Sequence, residues 1–164
     1  MPSRTQTPPD TSLANKKPVQ DFSSPSTGGK TFVLSEAKAA ILVIYFYPKD
    51  NTPGCTTEGM NFRDRHAEFR KAGAEILGVS RDSLKSHENF KAKMAFPFEL
   101  LSDEDETACN LFGVIKMKNM YGRQVRGIER STFIIDGKGV LRHEMRGIKV
   151  PSHVDEVLEI VKGM

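Results

Sequence analysis

Cys55 is the residue of this chain best placed to do chemistry, because of what precedes it. The segment Pro48-Lys49-Asp50-Asn51-Thr52-Pro53-Gly54-Cys55 follows the apolar run AAILVIYFY, residues 39–47, which is rich in β-branched and aromatic side chains and is stopped by Pro48. Such a run reads as a strand buried on both faces. Thr52 then reads as an N-cap and Pro53 as the first helical residue, which sets Cys55 in the first turn. Its sulfur would lie among backbone N–H groups that lack intrahelical acceptors, at the positive end of the helix dipole, and both effects favour thiolate over thiol. Only a small fraction of free cysteine is ionised at neutral pH, so full ionisation is worth roughly thirtyfold at most. An enzyme using Cys55 therefore needs further hydrogen-bond donors converging on this turn. A lone cysteine is otherwise an ordinary small core residue, but strand, proline, cap and cysteine occurring in this order favour the reactive thiol.

The elements that hold such a turn can be followed along the chain. Residues 1–17, MPSRTQTPPDTSLANKK, are polar and almost without apolar periodicity, and are expected to form a flexible tail before one domain over 18–164. Lys30–Ser35 suggests a short strand. Phe62, His66, Phe69 and Gly73 keep helical spacing, which predicts a helix from about Thr52 to Ala72 ending on a glycine C-cap. Ala74–Val79 is expected as a second buried strand, Ser83–Met94 as a helix, Phe98–Leu101 as extended and Glu104–Phe112 as helical. Ser131–Asp136 and Val140–Met145 make a hairpin through Gly-Lys-Gly. Val154, Val157, Leu158 and Val161 form the apolar face of a last helix, opened by a Ser152…Asp155 capping pattern. This order predicts an α/β fold with a mixed sheet between helices, part parallel and part an antiparallel hairpin.

Composition narrows the function classes. Of 164 residues 27% are charged, and the net charge of +3 implies no polyanionic partner. The densest basic stretch, Lys116, Lys118, Arg123, Arg126 and Arg130, is expected as a solvated loop rather than a nucleic-acid groove. Two cysteines are too few for a disulfide scaffold, residues 1–17 lack the apolar core of a signal peptide, and a nine-residue apolar run is too short to cross a bilayer. A reducing, cytoplasmic setting without membrane contact is expected. The cysteines with His66, His87, His143 and His153 show no metal-ligand spacing, so neither metal nor cofactor is expected. Cys55-Thr56-Thr57-Glu58 lacks the second cysteine of a dithiol oxidoreductase. A cysteine hydrolase would need a histidine partner, and His143 and His153 are both expected at the surface.

YFYPKDNTPGCTTE matches the Pro-x-x-x-Thr-x-x-Cys signature of peroxiredoxins and resembles the bacterioferritin comigratory protein, or peroxiredoxin Q, subfamily. The similarity continues through GAEILGVSRDSLKSHENF, LLSDEDE, KNMYGRQVRGIERSTFIID and the C-terminal helix, covering Val19 to the end. The resemblance implies a thioredoxin-like sandwich, a mixed central β-sheet flanked by helices. It also implies a peroxidase for hydrogen peroxide and alkyl hydroperoxides in which Cys55 becomes a sulfenic acid. In this family the arginine at position 130 reaches the cysteine turn, where its guanidinium would support the thiolate and hold a peroxide oxygen. On the residues alone Arg130 is expected instead as a strand-edge arginine paired with a surface acid such as Glu129. Glu58, three residues after Cys55, is expected either to accept from Arg130 or to be an ordinary first-turn acid. The Thr52 hydroxyl is expected as a donor to the reacting oxygens, and Pro48 as a shield against water.

The chain departs from its relatives in the second half of the cycle. Many members carry a resolving cysteine five residues past the reactive one, where this chain has Met60, and others carry it in the following helix, where it has Lys91. Cys109, flanked by Ala108, Leu111 and Phe112, is expected to be a packed structural cysteine, with a resolving role as the second choice. The implied partner is an outside thiol, thioredoxin or glutathione with glutaredoxin, acting on a monomer. The competing class is a thioredoxin-fold redox sensor or chaperone-like binder in which Cys55 is oxidised without turnover.

Overall fold

The structure, a computed structural model, describes residues 17–164. The expected tail lies outside the described residues except for Lys17, whose carbonyl accepts from Leu141 N at 2.9 Å. Lys17 therefore belongs with the domain.

Nine strands and four α-helices follow in chain order among the described residues, with one 3-10 turn at Leu34–Glu36 between β2 and β3: β1 (Ser23–Ser26), β2 (Lys30–Val33), β3 (Ile41–Phe46), α1 (Pro53–Lys71), β4 (Ala74–Ser80), α2 (Leu84–Met94), β5 (Glu99–Ser102), α3 (Thr107–Phe112), β6 (Ile115–Met120), β7 (Arg123–Ile128), β8 (Ser131–Asp136), β9 (Leu141–Arg146) and α4 (His153–Lys162). Seven strands form one sheet in the order β2-β1-β5-β4-β3-β8-β9. Its centre, β5-β4-β3, is parallel, and β8 runs antiparallel to β3 with Tyr45 opposite Thr132 and Phe46 opposite Ser131. This is the mixed α/β sandwich expected.

Every residue of β3 is buried, as its unbroken apolar run requires. Successive side chains point to opposite faces. Val43, Tyr45 and Tyr47 pack with Phe62 and Phe69 of α1, Phe90 of α2 and Val157, Leu158 and Val161 of α4. Leu42, Ile44 and Phe46 pack on the other face with Cys109 and Phe112 of α3 and Phe133 of β8. The sheet thus separates the two cysteines, since Cys55 lies in the first cluster.

Four local expectations are corrected. The basic stretch is no loop: β6 and β7 pair in register around Tyr121-Gly122, both with positive φ, and Arg126 forms a two-pronged ion pair with Glu106. α3 starts at Thr107 rather than Glu104, because buried Asp103 accepts from the backbone N–H groups of Ala108 and Cys109, and Glu106 is left-handed. Ser152 does precede α4, but at φ 66° its side chain makes no capping bond. His153 is 2% exposed and so is no surface residue, whereas half-buried His143 lies on the edge strand β9.

Candidate active site

β3 ends at Phe46, and the loop after it delivers α1 with Cys55 as its third residue. Thr52 occupies the N-cap position with extended φ and ψ, and its carbonyl accepts from Thr56 N at 2.8 Å. Its hydroxyl, however, donates to the Lys49 carbonyl at 2.8 Å and makes no cap bond, closing the 49–52 turn instead. The residue stands where the sequence puts it, but its proton is committed elsewhere. Pro48 is half-buried beside this turn.

Arg130, the residue before β8, enters from the neighbouring strand. Its Nη2 donates to Cys55 Sγ at 3.4 Å and its Nη1 to Glu58 Oε1 at 2.6 Å. Gly54 leaves room for this approach, since a Cβ there would stand 3.1 Å from Nη2. Cys55 is free and 2% exposed. Glu58 is wholly buried, and its Oε2 has no hydrogen-bond partner. Burial pushes the Glu58 carboxyl up to about 7, with Arg130 offsetting part of the rise. Burial opposes the Arg130 charge, but Glu58 and then Cys55 outweigh it and drive its pKa higher still. The fork of one guanidinium therefore spans the thiol and an acid three residues further along the same helix. Glu58 is the partner of Arg130, and Glu129 is not: its carbonyl accepts from Ser131 Oγ.

Two buried groups near the turn carried no signal in the sequence. His153 Nε2 lies 2.8 Å from Thr132 Oγ1, and burial and then Arg130 lower its pKa to about 4, so it is neutral at physiological pH and pairs with Thr132 instead of Cys55. Asp50 and His87 meet at 2.7 Å. With Asp82 they bring three ligand-type atoms within 4.8 Å of one another, but a 2.7 Å contact holds a proton and is too close for an ion between them.

The remaining thiol is on the far side of the sheet. Cys109 is fully buried, and burial and then Asp103 push its thiol pKa up. Met60 is half-buried in α1, and Lys91 ties α2 to β5 through Glu99 at 2.5 Å.

Known proteins are similar to this chain in sequence and fold. The AhpC/TSA family model matches residues 16–144. Peroxiredoxin Bcp of Xanthomonas campestris is 54% identical over 89% of this chain and 92% of its own length. The chain belongs to the AhpC/TSA family, in its peroxiredoxin Bcp/Q branch. Peroxiredoxin Bcp of Bacillus subtilis is 48% identical over 83% of this chain and 87% of its own. A solved structure of Xanthomonas campestris peroxiredoxin Q superposes with a TM-score of 0.82 at 54% identity, covering 87% of this chain and 90% of that one. Two further structures of that protein are serine variants of two different cysteines, separated by the same interval as Cys55 and Lys91 here. Another is described as bearing on that protein's alkyl peroxide reduction. Among the described residues no helix is long and apolar enough to cross a membrane.

Proposed function

We propose that this peroxiredoxin is a thiol peroxidase in which Cys55 reduces hydrogen peroxide and alkyl hydroperoxides and is recycled by an outside thiol. The observation that carries it is the Arg130 fork, with one arm 3.4 Å from Cys55 Sγ and the other fixed by buried Glu58. The thiolate attacks one peroxide oxygen, an S–O bond forms as the O–O bond breaks, and the leaving hydroxide or alkoxide takes up a proton, which leaves Cys55 as a sulfenic acid. Negative charge moves from sulfur to the leaving oxygen. Arg130 Nη2 and the N–H groups of Gly54 and Cys55 suit that charge, in a site that Pro48 helps to keep from water. With its own proton on Lys49, the Thr52 hydroxyl offers a lone pair, which suits the O–H of the incoming peroxide.

Recycling proceeds by attack of an outside thiol on the sulfenic sulfur, giving a mixed disulfide and water, and a second thiol then releases Cys55. This is supported by the positions of Met60, Lys91 and Cys109, none of which offers a thiol on the Cys55 face of the sheet. Thioredoxin, or glutathione with glutaredoxin, fits the need, and two free cysteines suit a monomer in the reducing cytoplasm.

Cys55→Ser should abolish single-turnover peroxide consumption, and Cys109→Ser should retain it. After peroxide, peptide mapping should find sulfenic acid at Cys55 and, with glutathione, a mixed disulfide there. A Cys55–Cys109 peptide formed as fast as peroxide disappears would make Cys109 the resolver. Oxidation of a single equivalent without steady NADPH consumption in the coupled assay would favour a sensor.

A further inference from the structure

Asp50 lies between Pro48 and Thr52, and it is buried while Lys49 and Asn51 beside it are exposed. Its Oδ1 accepts from Tyr47 OH at 2.6 Å. Its Oδ2 accepts from Ser86 Oγ at 2.7 Å and faces His87 Nδ1 at 2.7 Å. Its backbone N–H donates to Asp82 Oδ2 at 2.8 Å. His87 is 0% exposed, and its Nε2 meets the Leu101 carbonyl at 2.9 Å. A carbonyl only accepts, so Nε2 carries a proton. Burial works to raise the Asp50 carboxyl, but His87, Tyr47 and Ser86 together outweigh it and hold the group below its ordinary range. One proton therefore lies in the contact between Asp50 Oδ2 and His87 Nδ1. The result is a buried hydrogen-bonded pair that ties the loop ahead of Cys55 to α2 and, through Leu101, to β5. Peroxide reduction as described above does not use it.

We propose that the Asp50–His87 pair is a latch: it positions the loop that carries Pro48 and Thr52 and limits how far the Cys55 turn opens once oxidised. The proposal rests on the peroxidase reading of Cys55. An outside thiol must approach the sulfenic sulfur opposite the S–O bond it breaks, and Cys55 is 2% exposed, so the turn has to open. Tyr47 is pinned to β4 through its N–H on the Val79 carbonyl. Without a latch the whole segment 48–55 could swing outward from Tyr47. Latched at Asp50, only the residues from 51 onward can move, and opening is confined to the first turn of α1, where the Thr56 N to Thr52 O bond and the Arg130 contact must break. The sulfenic acid then dwells longer in a closed pocket that admits a second hydrogen peroxide but not a bulky thiol. That second encounter forms a new S–O bond and breaks the O–O bond, converting Cys–SOH and H2O2 into Cys–SO2H and water.

Asp50→Asn keeps the shape and removes the charge, and Ser86→Ala removes one bond, which serves should the first variant fold poorly. On the full chain, amide exchange over residues 49–56 is measured in the reduced protein. After limiting hydrogen peroxide, the ratio of Cys55 sulfinic acid to glutathione mixed disulfide is read by mass. Loss of a buried charged hydrogen bond should speed exchange about tenfold in Asp50→Asn and about threefold in Ser86→Ala, with α4 unchanged, and should lower the ratio by like factors. Faster exchange everywhere with an unchanged ratio, or a ratio within about twofold of wild type in both variants, overturns the latch. Wild-type protein whose Cys55 fails to react with peroxide overturns the peroxidase reading instead, and the exchange measurement then still decides whether Asp50 holds the loop.

Discussion

Glu58→Gln separates what the buried acid does for the site from what it does to the fold. The carboxyl is wholly buried, faces Arg130 Nη1 at 2.6 Å, and leaves Oε2 without a partner. An unfolded chain releases this proton near 4.5 and the folded protein near 7. Between those values the native state holds a proton that the unfolded state has lost, so stability falls as pH rises through the window. At 1.36 kcal/mol per pH unit the loss amounts to about 3 kcal/mol and is complete by about pH 8. Below 4.5 both states are protonated and the contribution is fully present. Glutamine keeps an acceptor for Arg130 but places an amide N–H2 where Oε2 has no partner, which costs about 1–3 kcal/mol at every pH. The absolute difference mixes the two effects, whereas its pH dependence isolates the ionisation. In urea unfolding the stability of the variant relative to wild type should improve by about 3 kcal/mol between pH 4.5 and 8. The peroxide step of wild type should also inflect near pH 7, where Glu58 changes charge beside the reacting sulfur, and the variant should lose that inflection. Parallel stability profiles for the two proteins would show that Glu58 does not titrate in this window and would refute the reasoning.

Two further perturbations address geometry. Arg130→Lys keeps a positive charge but cannot reach Sγ and Glu58 together, so the peroxide step should slow by about one to three orders of magnitude in rapid-quench kinetics; an unchanged rate would return Arg130 to a structural role. A Cβ at Gly59 would stand 2.4 Å from Phe96 Cζ, and that ring is held between Phe90 and Phe98 at centroid distances of 5.1 and 5.0 Å. Gly59→Ala should therefore lower stability by about 1–3 kcal/mol despite the better helix propensity of alanine, and an unchanged melting temperature would mean that the ring yields.

What was legible in the sequence followed from local strings with a strong physical signature. The run Ile41–Phe46, the helical spacing of Phe62, His66 and Phe69, and the apolar stripe of α4 each name their element, because burial on both faces, one face or one stripe leaves a distinct period. β1 left none. Its sequence is SSPS, and it is buried partly through hydrogen bonds such as Ser24 Oγ to the Ser102 carbonyl at 3.1 Å, which hydropathy does not register. β6 and β7 are largely exposed and turn on Tyr121-Gly122 in place of the asparagine-glycine or aspartate-glycine pair that marks such a hairpin. The Asp50–His87 pair was beyond reach for another reason: its members are 37 residues apart, and they meet because β3 and β4 run parallel as neighbours and deliver their following loops to the same end of the sheet.

The two cysteines show why a helix N-terminus alone does not decide reactivity. Cys55 is the third residue of α1 and Cys109 the third residue of α3, so both sit where orphan N–H groups and the dipole favour an anion. At α3 that place is already taken. Asp103 accepts from the N–H groups of Ala108 and Cys109 at 2.9 and 2.7 Å, and its charge, added to burial, opposes ionisation of the Cys109 thiol. At α1 no carboxylate caps the turn, the cap hydroxyl is turned to Lys49, and the side chain that arrives from β8 is a guanidinium. The same local position thus sets one thiol beside a carboxylate and the other beside a guanidinium. Only the β3–β8 pairing, which sets Tyr45 opposite Thr132, 87 residues later in the chain, brings that guanidinium in. A disulfide between the two would need their Cα atoms within about 7 Å, across a sheet whose opposite faces they occupy. Joining them would require α3 to leave the contacts of Phe112 with Phe46 and Phe133, at centroid distances of 5.3 and 4.7 Å, and in the cycle proposed above that core favours a thiol from outside over Cys109.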